Sequence, residues 1–252
     1  MKELIQAVYR RKSIRKYSEE KLTTEQLTAV KGYLHQAKAL IPEIKVEYEI
    51  VPCSETNCKF NAEYCLIVYS EEANLWLANV GYLLEQWDLY LATMSIGVCW
   101  YGMGKVEETE KNGLKYAIML SFGKCDEDDF RKNSEEFNRK ALADIWSVAK
   151  SSQSVACGQV GEIARLAPSA VNSQPWKVIE EGNTLKVYRE KGKTPVLSNI
   201  LFKRWNKVDI GIFLCFLDVA LESEGYTYER VLHADTDGKK SVLTATYTVN
   251  KN

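Results

Sequence analysis

Two spacings of hydrophobic residues run along this chain, one typical of helices and one typical of strands. Apolar residues three or four positions apart predict a long helix at Ala73–Ser95. This helix is apolar on nearly every face, which is typical of a helix at the centre of a fold. Val208–Glu224 is predicted as a second long apolar helix. Shorter helices are predicted at 3–10, 24–40, 137–149 and 155–166.

Strands are predicted where apolar and polar residues alternate, or where a short apolar run stands between turn signals. Residues 177–189 predict a hairpin around Gly182-Asn183, because glycine and asparagine suit the tight turn between two strands. The other predicted strands are 46–51, 65–69, 116–122, 226–232 and 242–249. The chain therefore mixes helices with short strands along its whole length.

The two long helices share a sequence pattern. Asn79-Val80-Gly81 is followed, seven residues after its glycine, by Asp88, and Asp209-Ile210-Gly211 is followed at the same interval by Asp218. Each helix ends at a glycine before a strand that carries aromatic residues. A repeat with so long a period indicates a duplicated domain, whereas chance similarity of two amphipathic helices is the alternative.

Length and charge limit the classes of protein that the chain can belong to. Its 252 residues are 46% hydrophobic, enough for one large domain or two small ones, which we place at 1–150 and 151–252 on either side of a polar break. The net charge of −1 argues against nucleic acid or an anionic membrane as a partner. The longest apolar run, Ile210–Leu217, is far shorter than a membrane span.

The cysteines predict a reducing compartment and no metal site. Seven cysteines are scattered along the chain without a Cys-x-x-Cys pair, and Cys53, Cys58 and Cys65 are only loosely spaced. Such usage is typical of reduced thiols in a cytoplasmic protein. No secretory leader is recognisable at the start, where Met1–Ile5 has the pattern of a helix.

The segment Ala167–Trp176 is rich in groups that fix backbone shape and form hydrogen bonds. Its two prolines restrict their own backbone and that of the preceding residues. Ser169, Asn172 and Gln174 can both donate and accept hydrogen bonds. The segment is either a turn that caps a helix with polar side chains or a rigid polar wall for a planar ligand.

A basic cluster follows the first helix. Arg11, Ser13 and Arg15 alternate, so in extended backbone their side chains point to one side. Two guanidinium groups and a hydroxyl arranged in this way suit a phosphate group. The alternative is a solvated basic surface.

Together these stretches resemble the FMN-dependent nitroreductase family. Arg11-Lys12-Ser13-Ile14-Arg15 matches the family motif for the FMN phosphate and ribityl chain, and Pro168–Trp176 matches the loop along the flavin. The resemblance implies an α+β fold with mixed, mainly antiparallel sheets flanked by helices. One feature departs from the family: residues 16–167 separate the two motifs, where ordinary members have a much shorter segment.

The duplication accounts for this separation. Ordinary nitroreductases are intertwined homodimers, in which one subunit supplies the basic motif and the other supplies the loop. Here the first half has Leu40–Glu43 where its loop is expected, and the second half lacks the basic motif. The resemblance therefore implies two pseudo-symmetric halves, a fused pseudo-dimer with one complete flavin site, either monomeric or weakly homodimeric.

The resemblance also implies further flavin contacts. Trp100-Tyr101-Gly102 occupies the place of a backbone segment beside the flavin ring, Arg131-Lys132 that of a late basic pair at the phosphate, and Lys59 that of a lysine near the ring. Core packing is the alternative for Trp100 and Tyr101, and a solvated pair is the alternative for Arg131-Lys132. The predicted cofactor residues are Arg11, Lys12, Ser13, Arg15, Lys59, Trp100, Tyr101, Gly102, Arg131, Lys132, Pro168, Ser169, Ala170, Asn172 and Gln174.

The implied function is an oxidoreductase that uses FMN and NADH or NADPH. It would pass electrons in ping-pong turnover to a small-molecule acceptor such as a nitroaromatic compound or a quinone. The flavin carries this chemistry, so no catalytic side chain is predicted. The alternatives are a flavin-binding sensor or carrier without turnover, and a ligand-free relative that serves as an interaction module.

Overall fold

The computed structural model describes residues 1–150, 154–156, 158–191, 199–236 and 240–251, with side chains for all of these except 199–203. Contacts between residues divide the chain into two compact units. The N-terminal unit is Tyr9–Glu136, and the C-terminal unit is Phe137–Asn252 together with Met1–Val8. None of the described helices is both long enough and apolar enough to cross a lipid bilayer.

The N-terminal unit is a five-stranded sheet with two helices. After helix α1 (Ile5–Arg10), its elements are α2 (Thr24–Gln36), β1 (Val46–Pro52), β2 (Tyr64–Ser70), α3 (Trp76–Thr93), β3 (Ile96–Tyr101), β4 (Glu110–Lys111) and β5 (Leu114–Lys124). The strands lie in the order β1-β2-β5-β3, with β4 also on β5, and every pair is antiparallel.

Helix α3 provides the core of this unit. Trp87 is completely buried, its ring edge packs on Phe122 of β5, and its indole nitrogen donates to the Val30 carbonyl at 3.0 Å. One tryptophan thus joins α3 to the sheet and to α2. The capping box predicted for α2 is confirmed: the Thr23 hydroxyl accepts from the Gln26 N–H, and the Gln26 side chain accepts from the Thr23 N–H.

The C-terminal unit is a second five-stranded sheet with one long helix. Its elements are α4 (Leu142–Ile145), β6 (Trp146–Val148), α5 (Gln159–Ala164), β7 (Trp176–Glu181), β8 (Thr184–Glu190), α6 (Asn199–Ser223), β9 (Tyr226–Leu232) and β10 (Ser241–Lys251). The strands lie in the order β6-β7-β8-β10-β9, and only the β6–β7 pair is parallel. The chain start belongs here because the Met1 amino group pairs with Glu222 at 2.6 Å.

The two units use the same strand order. In the N-terminal unit, a hairpin of β1 and β2 is followed by α3 and then by β3, the short β4 and β5, of which β5 inserts beside β2. In the C-terminal unit β7, β8, α6, β9 and β10 follow the same sequence of steps, with β10 beside β8. The mixed, mainly antiparallel α+β class predicted from the sequence is confirmed.

Two predictions about chain organisation need correction. The helix predicted at 137–149 is wrong: only Leu142–Ile145 is helical, and Trp146–Val148 forms a strand beside β7. The Trp146 indole donates to the buried Glu180 carboxylate at 2.8 Å, and this contact depends on a residue far away in sequence. The C-terminal unit therefore begins before the predicted boundary at residue 150, and residues 151–153 of the predicted break lie outside the described part.

Gly97 of β3 allows a close approach of the basic segment. The Ile14 N–H donates to the Val98 carbonyl at 2.9 Å, and a Cβ at Gly97 would lie only 2.8 Å from Ile14 Cγ2 and 2.9 Å from Cys125 Sγ. We expect Gly97→Ala to lower the free energy of unfolding by about 1–3 kcal/mol, because both neighbours are packed. Urea denaturation measures the change.

Gly32→Ala is the matched control. Gly32 lies inside α2, and a Cβ added there would have no other atom within 4 Å, so alanine should raise helix stability by up to about 1 kcal/mol. Equal stability of the two variants would contradict the close approach at Gly97.

Candidate functional site

A buried carboxylate on α3, Asp88, joins two residues of the N-terminal unit. Asp88 Oδ2 lies 2.8 Å from Arg11 Nε, 2.7 Å from Arg11 Nη2 and 3.0 Å from Trp100 Nε1. Glu85, one helical turn earlier, lies 3.6 Å from the same guanidinium group. Two residues that were predicted from separate motifs, Arg11 and Trp100, thus meet on one acidic group.

Arg11 is held in the interior by these charges. Its side chain is only 3% exposed. Burial by itself would lower the pKa of Arg11, but Asp88 and Glu85 outweigh burial and raise it above its usual value. Because its forked face is directed at Asp88, Arg11 first of all neutralises buried carboxylates. Asp88 and Glu85 were not predicted as site residues; two acids in a largely apolar helix were the available signal.

Arg131 also lies beside Arg11. Its N–H donates to the Arg10 carbonyl at 3.0 Å, and its guanidinium group donates to the Arg11 carbonyl. Burial and the positive charge of Arg11 lower the pKa of Arg131 to about 10. The structure therefore brings Arg11, Trp100 and Arg131 together around one region of the N-terminal unit.

The remaining residues of the basic motif lie nearer the surface. Ser13 is half-buried and forms a parallel bridge with Val98, whereas Lys12 and Arg15 are exposed. Arg11 and Arg15 were expected to point to one side, but their side chains lie in different environments. Arg11 is buried and Arg15 faces solvent. Arg15 is therefore the arginine of the motif that remains accessible.

The other predicted residues of this unit have separate surroundings. Tyr101 is buried, donates to the Asn57 carbonyl at 3.2 Å and packs edge-on against Phe60, so its side chain belongs to the core. Gly102 is exposed in the turn after β3. Lys132 pairs with Asp128 at 2.9 Å, and Lys59 is exposed beside a cleft lined by Cys53 and Cys58.

The proline-rich loop of the C-terminal unit has an unusual backbone. Val171, Asn172 and Gln174 have φ angles of 47°, 56° and 48°, in the left-handed region that few residues other than glycine adopt. Ser169 supports this shape, because its carbonyl accepts from the Asn172 N–H at 3.0 Å and its hydroxyl accepts from the Gln174 N–H at 2.8 Å. Such a backbone persists only where neighbours hold it.

Residues 138–140 provide that support. Arg139 donates to the Ala167 carbonyl at 3.0 Å and to Asn172 Oδ1 at 3.0 Å, and the Asn172 amide donates to the Asn138 carbonyl at 2.8 Å. The Lys140 N–H donates to Gln174 Oε1 at 2.8 Å. The predicted amides therefore brace the loop, and their partners are Arg139 and Lys140, which no sequence motif indicated.

One face of this loop borders a basic cleft of about 650 Å³ within the C-terminal unit. That volume lies in the range of small-molecule sites, roughly 300–1,000 Å³. Four lysines on the cleft give it a positive potential that two carboxylates partly offset. The charged residues on the cleft are Lys140, Asp144, Lys177, Glu190, Lys191 and Lys240.

A buried acid supports the loop from α6. Asp209 Oδ1 accepts from the Ala170 N–H at 3.0 Å, while Oδ2 is buried without a hydrogen-bond partner. Burial raises the pKa of Asp209 to about 8, although the bond from Ala170 lowers it. In the N-terminal unit Asn79, a neutral amide, makes the corresponding bond: its Oδ1 accepts from the Ile41 N–H at 2.9 Å.

A family model described as "Putative TM nitroreductase" matches residues 3–221. This chain belongs to that nitroreductase family. The match confirms the resemblance that the basic motif and the proline-rich loop carry.

One solved structure of a nitroreductase has a similar fold, and two others align with about half of the chain. A structure described as a putative nitroreductase of Thermotoga maritima aligns with 97% of this chain and 93% of that chain, at a TM-score of 0.64 and 18% identity. A nitroreductase family protein of Clostridium difficile aligns with 56% of this chain and 94% of that chain (TM-score 0.45, 13% identity). A nitroreductase with bound FMN from Desulfitobacterium hafniense aligns with 50% of this chain and 90% of that chain (TM-score 0.42, 14% identity). No curated protein matches this nitroreductase.

Arg11 and Arg15 should differ sharply in their effect on stability. We expect Arg11→Ala to lower the free energy of unfolding by about 3–5 kcal/mol, because it leaves Asp88 and Glu85 buried without their cation. Arg15→Ala, at an exposed position of the same motif, should stay within about 0.5 kcal/mol of the parent. Chemical denaturation compares them, and similar losses would contradict the buried ion pair.

Asp209→Asn should make stability less dependent on pH. The folded-state pKa of Asp209 lies above its unfolded value, so the native state holds a proton that the unfolded chain releases, and stability falls as the pH rises from about 4 to 8. Asparagine carries no titrating proton, so the variant removes this loss of stability, which amounts to at most about 1.4 kcal/mol per pH unit. Its side-chain oxygen still accepts from the Ala170 N–H. Melting temperatures between pH 5 and 9 measure the difference.

The gain in melting temperature should grow with pH and level off above about pH 8. A constant offset at every pH would show that Asp209 ionises normally in the folded state. Glu162→Gln is the matched control, because Glu162 is exposed on α5 and the variant changes one charge without changing a buried group. Asn79→Ala would not serve, because it removes the oxygen that accepts from the Ile41 N–H.

Proposed function

We propose that this nitroreductase binds FMN and transfers electrons from NADH or NADPH to a small electron-poor acceptor, such as a nitroaromatic compound or a quinone. The observation that carries the proposal is the proline-rich loop, whose left-handed residues are fixed by Ser169, Arg139 and Asp209. A loop braced in this way presents a preformed surface, which lowers the cost of ordering when a rigid ligand binds.

The residues of the basic motif fit the phosphate end of such a cofactor. Arg15 is exposed and Ser13 is half-buried beside it, so both can reach a ligand. Each charge-assisted hydrogen bond contributes about 1.5–3 kcal/mol. We assign Arg11 as a positioning residue, because its guanidinium group is held by Asp88. Arg131, which donates to the Arg11 carbonyl, holds the same segment.

The flavin, when bound, supplies the hydride and electron transfer chemistry. The protein's part is to hold the cofactor and to leave room for a second small molecule. No side chain with a proton-transfer role is assigned, and the residues named above act by binding and orienting. Trp100 lies near the end of β3, and its indole donates to Asp88 of α3. This bond supports the neighbouring backbone of Tyr101 and Gly102.

We also infer that the chain arose by internal duplication and holds one FMN. The shared strand order supports this inference, as do the matching bonds of Asn79 to Ile41 and of Asp209 to Ala170. In the N-terminal unit the segment that contains Ile41 lacks the Pro-Ser-Ala-Val-Asn sequence of the other loop. A second flavin site would lack its loop.

Flavin absorbance tests the proposal directly. The protein is incubated with FMN, desalted and examined without oxygen, before and after addition of NADPH or NADH. We expect retained flavin absorbance that the reduced nicotinamide bleaches and that a nitroaromatic compound restores. Arg15→Ala should weaken FMN binding by about 10-fold or more, since one charge-assisted contact is lost. Lys16→Ala, its exposed neighbour, is the matched control and should bind FMN like the parent.

The other outcomes distinguish the alternatives. Retained FMN that neither nicotinamide bleaches would indicate a flavin sensor or carrier. Absence of FMN binding would leave a ligand-free module. One observation favours the ligand-free module: the side-chain amides of Asn172 and Gln174 already form hydrogen bonds within the protein. Their partners are Asn138, Arg139 and Lys140.

A further inference from the structure

Three cysteines that lie apart in sequence meet in the N-terminal unit. The Sγ atoms of Cys53, Cys58 and Cys65 all lie within 4.8 Å of one another. Cys53 and Cys65 are buried, Cys58 is partly exposed, and none of the three forms a disulfide. Within the described part of the chain this is the one cluster of three or more histidine, cysteine or acidic side chains close enough to share a metal ion.

The connection between β1 and β2 brings these thiols together. Pro52 pairs with Tyr64 at the end of the two strands, and the Cys53 N–H donates to the Glu63 carbonyl at 3.1 Å. The intervening residues therefore form a loop closed at its base. Cys53 begins the loop, Cys58 lies within it, and Cys65 follows it on β2.

Hydrogen bonds fix the loop before any ligand binds. The Thr56 hydroxyl donates to the Cys53 carbonyl at 2.8 Å and accepts from the Cys58 N–H at 3.1 Å. Asn57 ties the loop to the segment after β3, since its amide donates to the Met103 carbonyl at 3.2 Å and accepts from the Lys105 N–H at 2.8 Å. The positions of the three thiols are thus set by the fold.

The spacing of the sulfur atoms suits a thiophilic metal. A tetrahedral zinc centre with Zn–S bonds of about 2.3 Å places its sulfur atoms about 3.8 Å apart. The observed upper limit of 4.8 Å requires a closure of about 1 Å at most, which side-chain rotation can supply. Cys53-x₄-Cys58 also falls within the usual spacing of paired zinc cysteines, and the hairpin supplies the third thiol from β2.

Access and charge are compatible with such a centre. Cys58 opens onto a cleft of about 640 Å³, which gives an ion a path to the buried sulfur atoms. Three thiolates around one cation carry a net negative charge, and Lys21 and Lys59 line the same cleft and can offset it. Burial raises the pKa of Cys58 and of Cys65, so metal uptake would release protons.

We propose that Cys53, Cys58 and Cys65 bind one thiophilic metal ion, Zn²⁺ or Cu⁺, through three thiolates. A fourth coordination position faces the cleft. This site is independent of the proposed flavin chemistry. Packing of the three cysteines as small hydrophobic residues, alongside Tyr101 and Met119, is the competing account of the cluster.

Metal titration of the fully reduced protein under argon tests the proposal. Co²⁺ is the probe for the zinc-like arm, because thiolate ligands give it a sulfur-to-metal charge-transfer band; Cu⁺ buffered by a chromogenic chelator is the other arm. We expect one equivalent per chain in at least one arm, with at least a 10-fold loss of affinity in Cys58→Ser. Cys125→Ser is the matched control, since Cys125 is also partly exposed but lies outside the cluster.

A second measurement needs no variant. In the folded parent protein, the partly exposed Cys58 should become protected from a thiol reagent when one equivalent of metal is added, whereas the partly exposed Cys125 should stay reactive. Failure of both ions to bind, or equal binding by the parent and Cys58→Ser, would overturn the proposal. Protection of Cys125 in place of the cluster would do the same.

Discussion

The N-terminal unit depends on a buried ion pair between Asp88 and Arg11. Asp88 lies inside the central helix, where a carboxylate is costly unless it is paired and hydrogen-bonded. Arg11 and Trp100 meet that need, and by doing so they attach the basic segment and the end of β3 to the helix. The C-terminal unit meets the same constraint: Asp218 of α6 pairs with Arg230 and accepts from the Tyr247 hydroxyl at 2.8 Å. Each core thus fixes its long helix to a strand through an internal acid.

This constraint separates the arginines of the basic motif by role. Arg11 faces a carboxylate and stabilises the fold, so the accessible guanidinium group of the motif is that of Arg15. The proline-rich loop shows a related division, because the side chains that first suggest ligand contacts, Asn172 and Gln174, are paired with Arg139 and Lys140. What such a loop offers to a ligand is a rigid backbone and small side chains. A preformed surface of this kind lowers the ordering cost when a ligand binds.

Local patterns were enough to predict most helices and strands. The capping box at Thr23, the apolar helix α3 and the hairpin at Gly182 each depend on residues that are neighbours in sequence. Features that depend on distant partners were not predicted: β6 is a strand because β7 lies beside it, and the three clustered cysteines meet because a hairpin closes. The family motifs identified the fold and the loop, but only coordinates show that Arg139 holds Asn172.

The central proposal is that the chain binds one FMN, with an affinity that depends on the exposed Arg15 and on the braced loop at Asn172. Calorimetric titration of the flavin-free protein with FMN, repeated on Asn172→Ala and Arg15→Ala, tests it most directly, because heat gives both the number of sites and their affinity. The account predicts one FMN per chain and a weaker version of that single binding event in both variants. Two equal sites per chain, or an affinity that ignores either change, would contradict it.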